Sequence, residues 1–243
     1  MSLPLILFWI IIVSGFSILG AYYARKYNRP DALIGLYVTA VIFANLTASK
    51  AVTFDFGFTQ LFTPVAVLIF AVTFLLTDMV NERFGRKETQ RMILIALFAQ
   101  VATVLFSYLV VKSEPAPFFQ NQQAFESIFG SVPRIIFASF VAFFVSENFD
   151  AYIFHWFKKL TKGKHLWMRN AFSSLPAMAL DSVLVVIIAF YGVLPVIPLI
   201  IGLSVTKWLV GVIDIPFMYL ARAVMGKHTG EPHTEVPLPH SGI

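Results

Sequence analysis

Cysteine is absent from the 243 residues. That excludes disulfides, thiolate zinc sites and cysteine nucleophiles together. Charge is scarce as well: 13% of residues are Asp, Glu, Lys or Arg, about half the roughly 25% usual in soluble domains. Water is therefore not the main solvent of this chain. No G-x-x-x-x-G-K-[ST] phosphate loop occurs, so the chain carries no ATPase site of its own. A Gly-x-Gly-Asp element is also missing, and no Ser/His pair sits at a shared depth, which argues against an intramembrane enzyme.

What is abundant is apolar sequence. Hydrophobic residues make up 58% of the chain and aromatics 16%. Apolar runs near ~20 residues recur, the length that crosses a ~30 Å hydrocarbon core at 1.5 Å per residue. The pattern predicts an all-α, polytopic membrane helix bundle. Seven spans are placed at Leu3–Tyr23, Ala32–Ala48, Leu61–Val80, Met92–Val111, Val132–Phe157, Ala171–Phe190 and Pro195–Ala221. The break YGVLP between the last two is tight, which leaves six spans open. Between spans two and three, AVTFDFGFTQ (Ala51–Gln60) reads as a re-entrant or extended linker. The apolar N-terminus lacks a basic leader region and is expected to be a retained span. Residues 1–225 form one transmembrane domain, and the Pro- and His-rich residues 226–243 are expected to be a disordered cytoplasmic tail. Its His228, His233 and His240 lack a surrounding shell to orient them on a metal, so neither metal nor cofactor is expected.

Lys and Arg set the orientation. Arg25, Lys26 and Arg29 follow the first span; Arg83, Arg86, Lys87 and Arg91 follow the third; Lys158, Lys159, Lys162, Lys164 and Arg169 follow the fifth; Arg222 and Lys227 follow the seventh. The alternate side holds only Lys50, Lys112 and Arg134. This alternation places the N-terminus outside and the C-terminus in the cytoplasm. It also explains the net charge of +5 as helix anchoring at a lipid surface rather than nucleic-acid binding. A homo-oligomer stays open.

Ionisable groups at membrane depth are costly and usually face a wet cavity or a partner. Asp78 and Glu82 share a face of span three, at i and i+4, with Glu82 spaced to pair with Arg86. Glu147 and Asp150 lie at i and i+3 on span five, suited to a cytoplasmic vestibule. Asp181 sits mid-span in SSLPAMALDSVLVV. Lys207 and Asp214 face the same way on span seven, two turns and roughly 10 Å apart, too far for a direct ion pair. Asp181 is a carboxylate that could neutralise Lys207. Pro216 should free the carbonyl of Val212 as an extra acceptor beside Asp214. Each of these acids can also be read as one half of a structural ion pair.

Together, ANLTASK (Ala44–Lys50), TDMVNERFG (Thr77–Gly85), Asp181 and KWLVGVIDIPFMYLAR (Lys207–Arg222) resemble the queuosine precursor transporter family, also called the vitamin uptake transporter family. The resemblance runs from about Ala40 to Arg222 with its motifs in order. The family's pattern falls on Ala44, Asn45 and Lys50; on Asp78, Glu82, Phe84 and Gly85; and on Lys207, Asp214, Pro216 and Phe217. Phe84 stands where tyrosine is more usual. The resemblance implies inner-membrane uptake of the 7-cyano and 7-aminomethyl 7-deazaguanine precursors of queuosine by a secondary transporter or facilitator. The alternative is a substrate-binding membrane subunit of an ATP-driven complex. The expected solute path is Asn45, Lys50, Asp78, Glu82, Asp181, Lys207 and Asp214. A carboxylate among them could accept the paired N–H groups of a guanine-type edge.

Overall fold

In hydrocarbon a chain must satisfy its own backbone N–H and C=O groups, so apolar runs of this length become helices. A computed structural model describes residues 3–55, 57, 59–160 and 166–225, without the side chains at 3, 6, 151, 154, 155, 157–160, 166–173, 213–218, 221 and 222. Among the described residues are seven helices and one hairpin: α1 Leu3–Tyr27, α2 Asp31–Thr47, β1 Ala51–Asp55, β2 Gln60–Pro64, α3 Ala66–Phe84, α4 Arg86–Lys112, α5 Gln122–Leu160, α6 Leu166–Phe190 and α7 Val196–Met225. The chain is thus an all-α membrane bundle, and each of the seven expected spans corresponds to a helix. The tail beyond 225 lies outside the described residues.

Among the described residues, three stretches are long and apolar enough to cross a membrane: Leu7–Tyr27, Arg86–Lys112 and Gln122–Asp150. Shorter apolar helices cover Asp31–Thr47, Ser174–Phe190 and Val196–Val212. Helix α3 is absent from both sets because its end carries charge, yet it lies deep in the protein. Its Leu75, Leu76, Met79 and Val80 are fully buried against α1, α2, Met92 of α4 and Met225 of α7. A second core joins Ala44 of α2, Val67 of α3, Ile135 and Ala138 of α5, Val186 of α6 and Leu199 of α7. Trp9 packs against both cores, and its indole N–H donates to the Leu68 carbonyl over 2.7 Å. Facing outward are Phe98, Phe106, Phe144 and Ile197, all exposed. Apolar surface on this scale is what a lipid-facing wall requires.

Two boundaries differ from the sequence expectation. Span three does not begin at Leu61. Residues Leu61–Pro64 belong to β2, which pairs antiparallel with β1 from Ala51↔Pro64 to Asp55↔Gln60. The linker is therefore extended, and Val65 N–H closes the hairpin on the Lys50 carbonyl at 2.8 Å. Glu82 and Arg86 do not share a helix, because α3 ends at Phe84 and α4 starts at Arg86. Gly85 alone makes the corner, with φ 83° and its N–H on the Asn81 carbonyl at 3.0 Å. A left-handed φ without a Cβ penalty is what glycine supplies there.

Several arginines close helix ends. Arg134 of α5 donates to the carbonyls of Ile188 at 2.7 Å and Tyr191 at 2.9 Å, just where α6 stops. At the end of α7, Arg25 donates to the Val224 carbonyl at 3.3 Å and Arg83 to the Met225 carbonyl. Arg83 also reaches Asn28 Oδ1 at 3.3 Å. Helix C-termini present unpaired carbonyls and partial negative charge, which cations complete.

The hairpin lies against α7 at Gly202, where an added Cβ would overlap the Phe62 carbonyl. Replacing Gly202 with Ala should cost about 1–3 kcal/mol through overpacking, seen as a lower unfolding temperature and faster proteolysis at the hairpin. At the tip, Asp55 accepts from Gly57 N–H at 2.8 Å and from Gln60 Nε2 at 3.1 Å. These donors hold its carboxyl below the usual carboxylate range. A depressed folded pKa contributes stability above the unfolded value and loses it as pH falls through the folded one. Hydrogen-exchange protection of the hairpin should therefore fall on acidification below about pH 4, and Asp55→Asn should flatten that dependence.

Candidate functional site

Asp181 lies in α6 and Lys207 in α7, and the two side chains form an ion pair with only 22% and 12% of their side-chain surface exposed. From α5, the Ser146 hydroxyl lies 3.5 Å from the other carboxylate oxygen of Asp181, sharing its proton with the Phe143 carbonyl at 3.3 Å. Three helices therefore meet on one carboxylate. In a low-dielectric interior such a pair holds its helices in register, and removing one partner strands a buried charge.

The second polar locus is neutral. Asn45 of α2 is 2% exposed. Its amide donates to the Val41 carbonyl at 3.1 Å, and its oxygen accepts from Ser139 of α5 at 3.1 Å. Beside this pair lies a cavity of about 110 Å³ between α2, α3, α4 and α5. Tyr37 and Asn45 line it from α2, Phe70 from α3, Gln100 from α4, and Ser139 and Phe140 from α5. Gln100 is 2% exposed, and neither its Oε1 nor its Nε2 has a partner among the described residues. A single water needs only about 10–15 Å³ of such space, so the cavity has room for a larger guest.

One face of α5 links the two loci. Ser139 and Ser146 are seven residues apart, so they point the same way, separated by roughly 10 Å along the axis. Ser139 bonds to Asn45 and Ser146 to Asp181. The side chains between and around them, Ala142 and Phe143, are apolar.

The structure gathers only some of the residues singled out in the sequence. Asp181 and Lys207 meet; Asn45 belongs to the neutral cavity. Lys50 is exposed beside the hairpin, its backbone carbonyl closing β1 onto Val65. Asp78 and Glu82 are exposed on α3, and Glu147 is exposed on α5 within electrostatic reach of Asp150 and Asp181. Asp150 is half-buried, and its Oδ1 has no partner among the described residues. The side chain of Asp214 lies outside the described residues, so its placement beside Lys207 is not described. Among the described residues no three His, Asp or Glu groups could hold a metal ion. Sequence reasoning passed over Tyr37, Ser139 and Ser146 and gave Gln100 no role. Helical spacing carried a signal: Tyr37, Val41 and Asn45 repeat every four residues, as do Ala96 and Gln100. Which helix faces which was not in that spacing.

A family described as "Putative vitamin uptake transporter" matches residues 64–221. A protein of Bacillus subtilis (strain 168) named "Probable queuosine precursor transporter" is 27% identical over 225 residues, spanning 90% of this chain and 95% of that protein. No solved structure matches the chain.

The ion pair makes its own prediction. Lys207→Met alone should destabilise the bundle by about 3–5 kcal/mol, because it leaves Asp181 charged and unpaired. Asp181→Asn combined with Lys207→Met should recover much of that loss. Thermal unfolding of the four proteins in detergent measures the coupling, and additive single effects would mean that the pair contributes nothing to stability.

Proposed function

The chain belongs to the family described as putative vitamin uptake transporters, and from that premise we propose that it imports the 7-cyano and 7-aminomethyl 7-deazaguanine precursors of queuosine. The membrane would be the bacterial inner membrane, with the N-terminus outside and the C-terminus in the cytoplasm, as the alternation of Lys and Arg supports. The observation that carries the reading is the near full-length match to a protein named as a queuosine precursor transporter. The buried Asp181–Lys207 pair suits a path that opens and closes.

In this reading the chain is a secondary transporter or facilitator. Solute passes along Asn45, Lys50, Asp78, Glu82, Asp181, Lys207 and Asp214, with Glu147 and Asp150 in the cytoplasmic vestibule. The Asp181–Lys207 pair crosses between α6 and α7, so parting these helices requires that it break. A proton arriving on Asp181 would cancel its charge and release Lys207. An intramembrane acid coupled to a cation in this way is a common proton relay.

Cells unable to make queuosine precursors provide the test. Expression of this chain should restore queuosine in tRNA from externally supplied 7-aminomethyl-7-deazaguanine, and Asp181→Asn should lower initial uptake by at least ten-fold at equal protein level. Proteoliposomes holding the purified chain without ATP should accumulate the solute, faster under an inward proton gradient. Binding without movement in those vesicles would instead favour a subunit of an ATP-driven complex, and uptake indifferent to the gradient would remove the proton from the mechanism.

A further inference from the structure

Gln100 is out of place by every structural measure. It lies in α4, the lipid wall of the bundle, on a helix whose neighbours are Ala96, Leu97 and Val101. It is 2% exposed, both of its polar atoms are buried without partners among the described residues, and the residue lines a cavity. A buried amide left unpaired is costly. A side chain that served packing alone would be Leu or Met at this position. The cavity wall supplies the reason for an amide: among the described residues no charged one lines it, aromatic rings do, and Asn45 and Ser139 already satisfy each other.

We propose that Gln100 reads the solute, pairing its amide edge to edge with the lactam edge of a flat, uncharged heterocycle. A carboxamide presents one acceptor and one donor side by side. A lactam, such as the adjoining carbonyl and ring N–H of a guanine-type base, presents the complementary pair, and two parallel hydrogen bonds fix the ring in its plane. The same bidentate logic lets Gln recognise a base edge in nucleic acids. Phe70, Phe140 and Tyr37 line the cavity and supply aromatic faces for the ring. The import reading supplies the identity of the solute, and the inference rests on it for that alone. Recognition in this cavity is thereby separate from the Asp181–Lys207 pair, which lies further along the α5 face. A site built around one unpaired amide discriminates steeply, because an analogue without the matching groups leaves Gln100 as unsatisfied as an empty cavity does.

The test uses the full chain in lipid nanodiscs and equilibrium dialysis. The probes are 7-cyano-7-deazaguanine, its analogue lacking the ring carbonyl and adjoining N–H, and two unrelated lactams, hypoxanthine and pterin. The wild-type chain should prefer the lactam over the analogue by at least 100-fold. Gln100→Leu should reduce that preference to a few-fold with little change for the analogue, and Gln100→Met serves as a second apolar variant should the first not fold. Retention of the preference in either variant, or no preference in the wild type, overturns the proposal. Binding of hypoxanthine or pterin through Gln100, without binding of the 7-deazaguanine, would leave this cavity assigned and the import reading wrong. If no lactam in the panel binds, the cavity holds only water or lipid and the proposal fails, whatever uptake in cells reports.

Discussion

Inside a bilayer no polar group can turn to water, and the rest of this fold follows from that constraint. Backbone groups close into helices. The carbonyls that helices leave over at their ends draw in Arg25, Arg83 and Arg134 from neighbouring elements. Two charges far from any helix end are joined, Asp181 to Lys207. The basic residues therefore do two things at once. Their distribution along the chain carries the charge alternation expected to orient it, and some of them also bind the termini of helices far away in sequence.

Against that background, the uneven satisfaction of the interior is informative. Asn45 and Ser139 are satisfied, as is Asp181 through Lys207 and Ser146. Gln100 is not. The first two are consistent with structural joints, and the joints sit on a single face of α5, so that helix is in contact with both loci. A cavity lies at one and an ion pair at the other. The membrane-spanning length of α5 makes it the shared wall of both.

Much of this was legible in the residues. Apolar runs mark the seven helices, with six left open, and Asp181 is one carboxylate able to neutralise Lys207. The hairpin was only half legible. AVTFDFGFTQ hints at alternation, but Leu61–Pro64 reads equally well as the start of a helix, and only its pairing with Ala51–Asp55 decides. The remainder depends on contacts between distant segments. Ser139 meets Asn45 across 94 positions, and Arg134 meets Ile188 across 54. A single Gln in an apolar helix looks like a tolerated intrusion until the cavity beside it is known. Glu82 and Arg86 show the opposite error: perfect helical spacing, interrupted by a glycine that ends one helix and begins the next.

That glycine has a mechanical consequence. Helices α3 and α4 share no loop, only the corner at Gly85. Gln100 stands fifteen residues along α4 from it, a lever arm of about 22 Å. Pivoting α4 by roughly 5° about that corner would carry the amide by about 2 Å, the difference between grasping a ligand and losing reach of it. Between the buried helix α3 and the lipid-facing α4, the angle is set at the backbone of one residue.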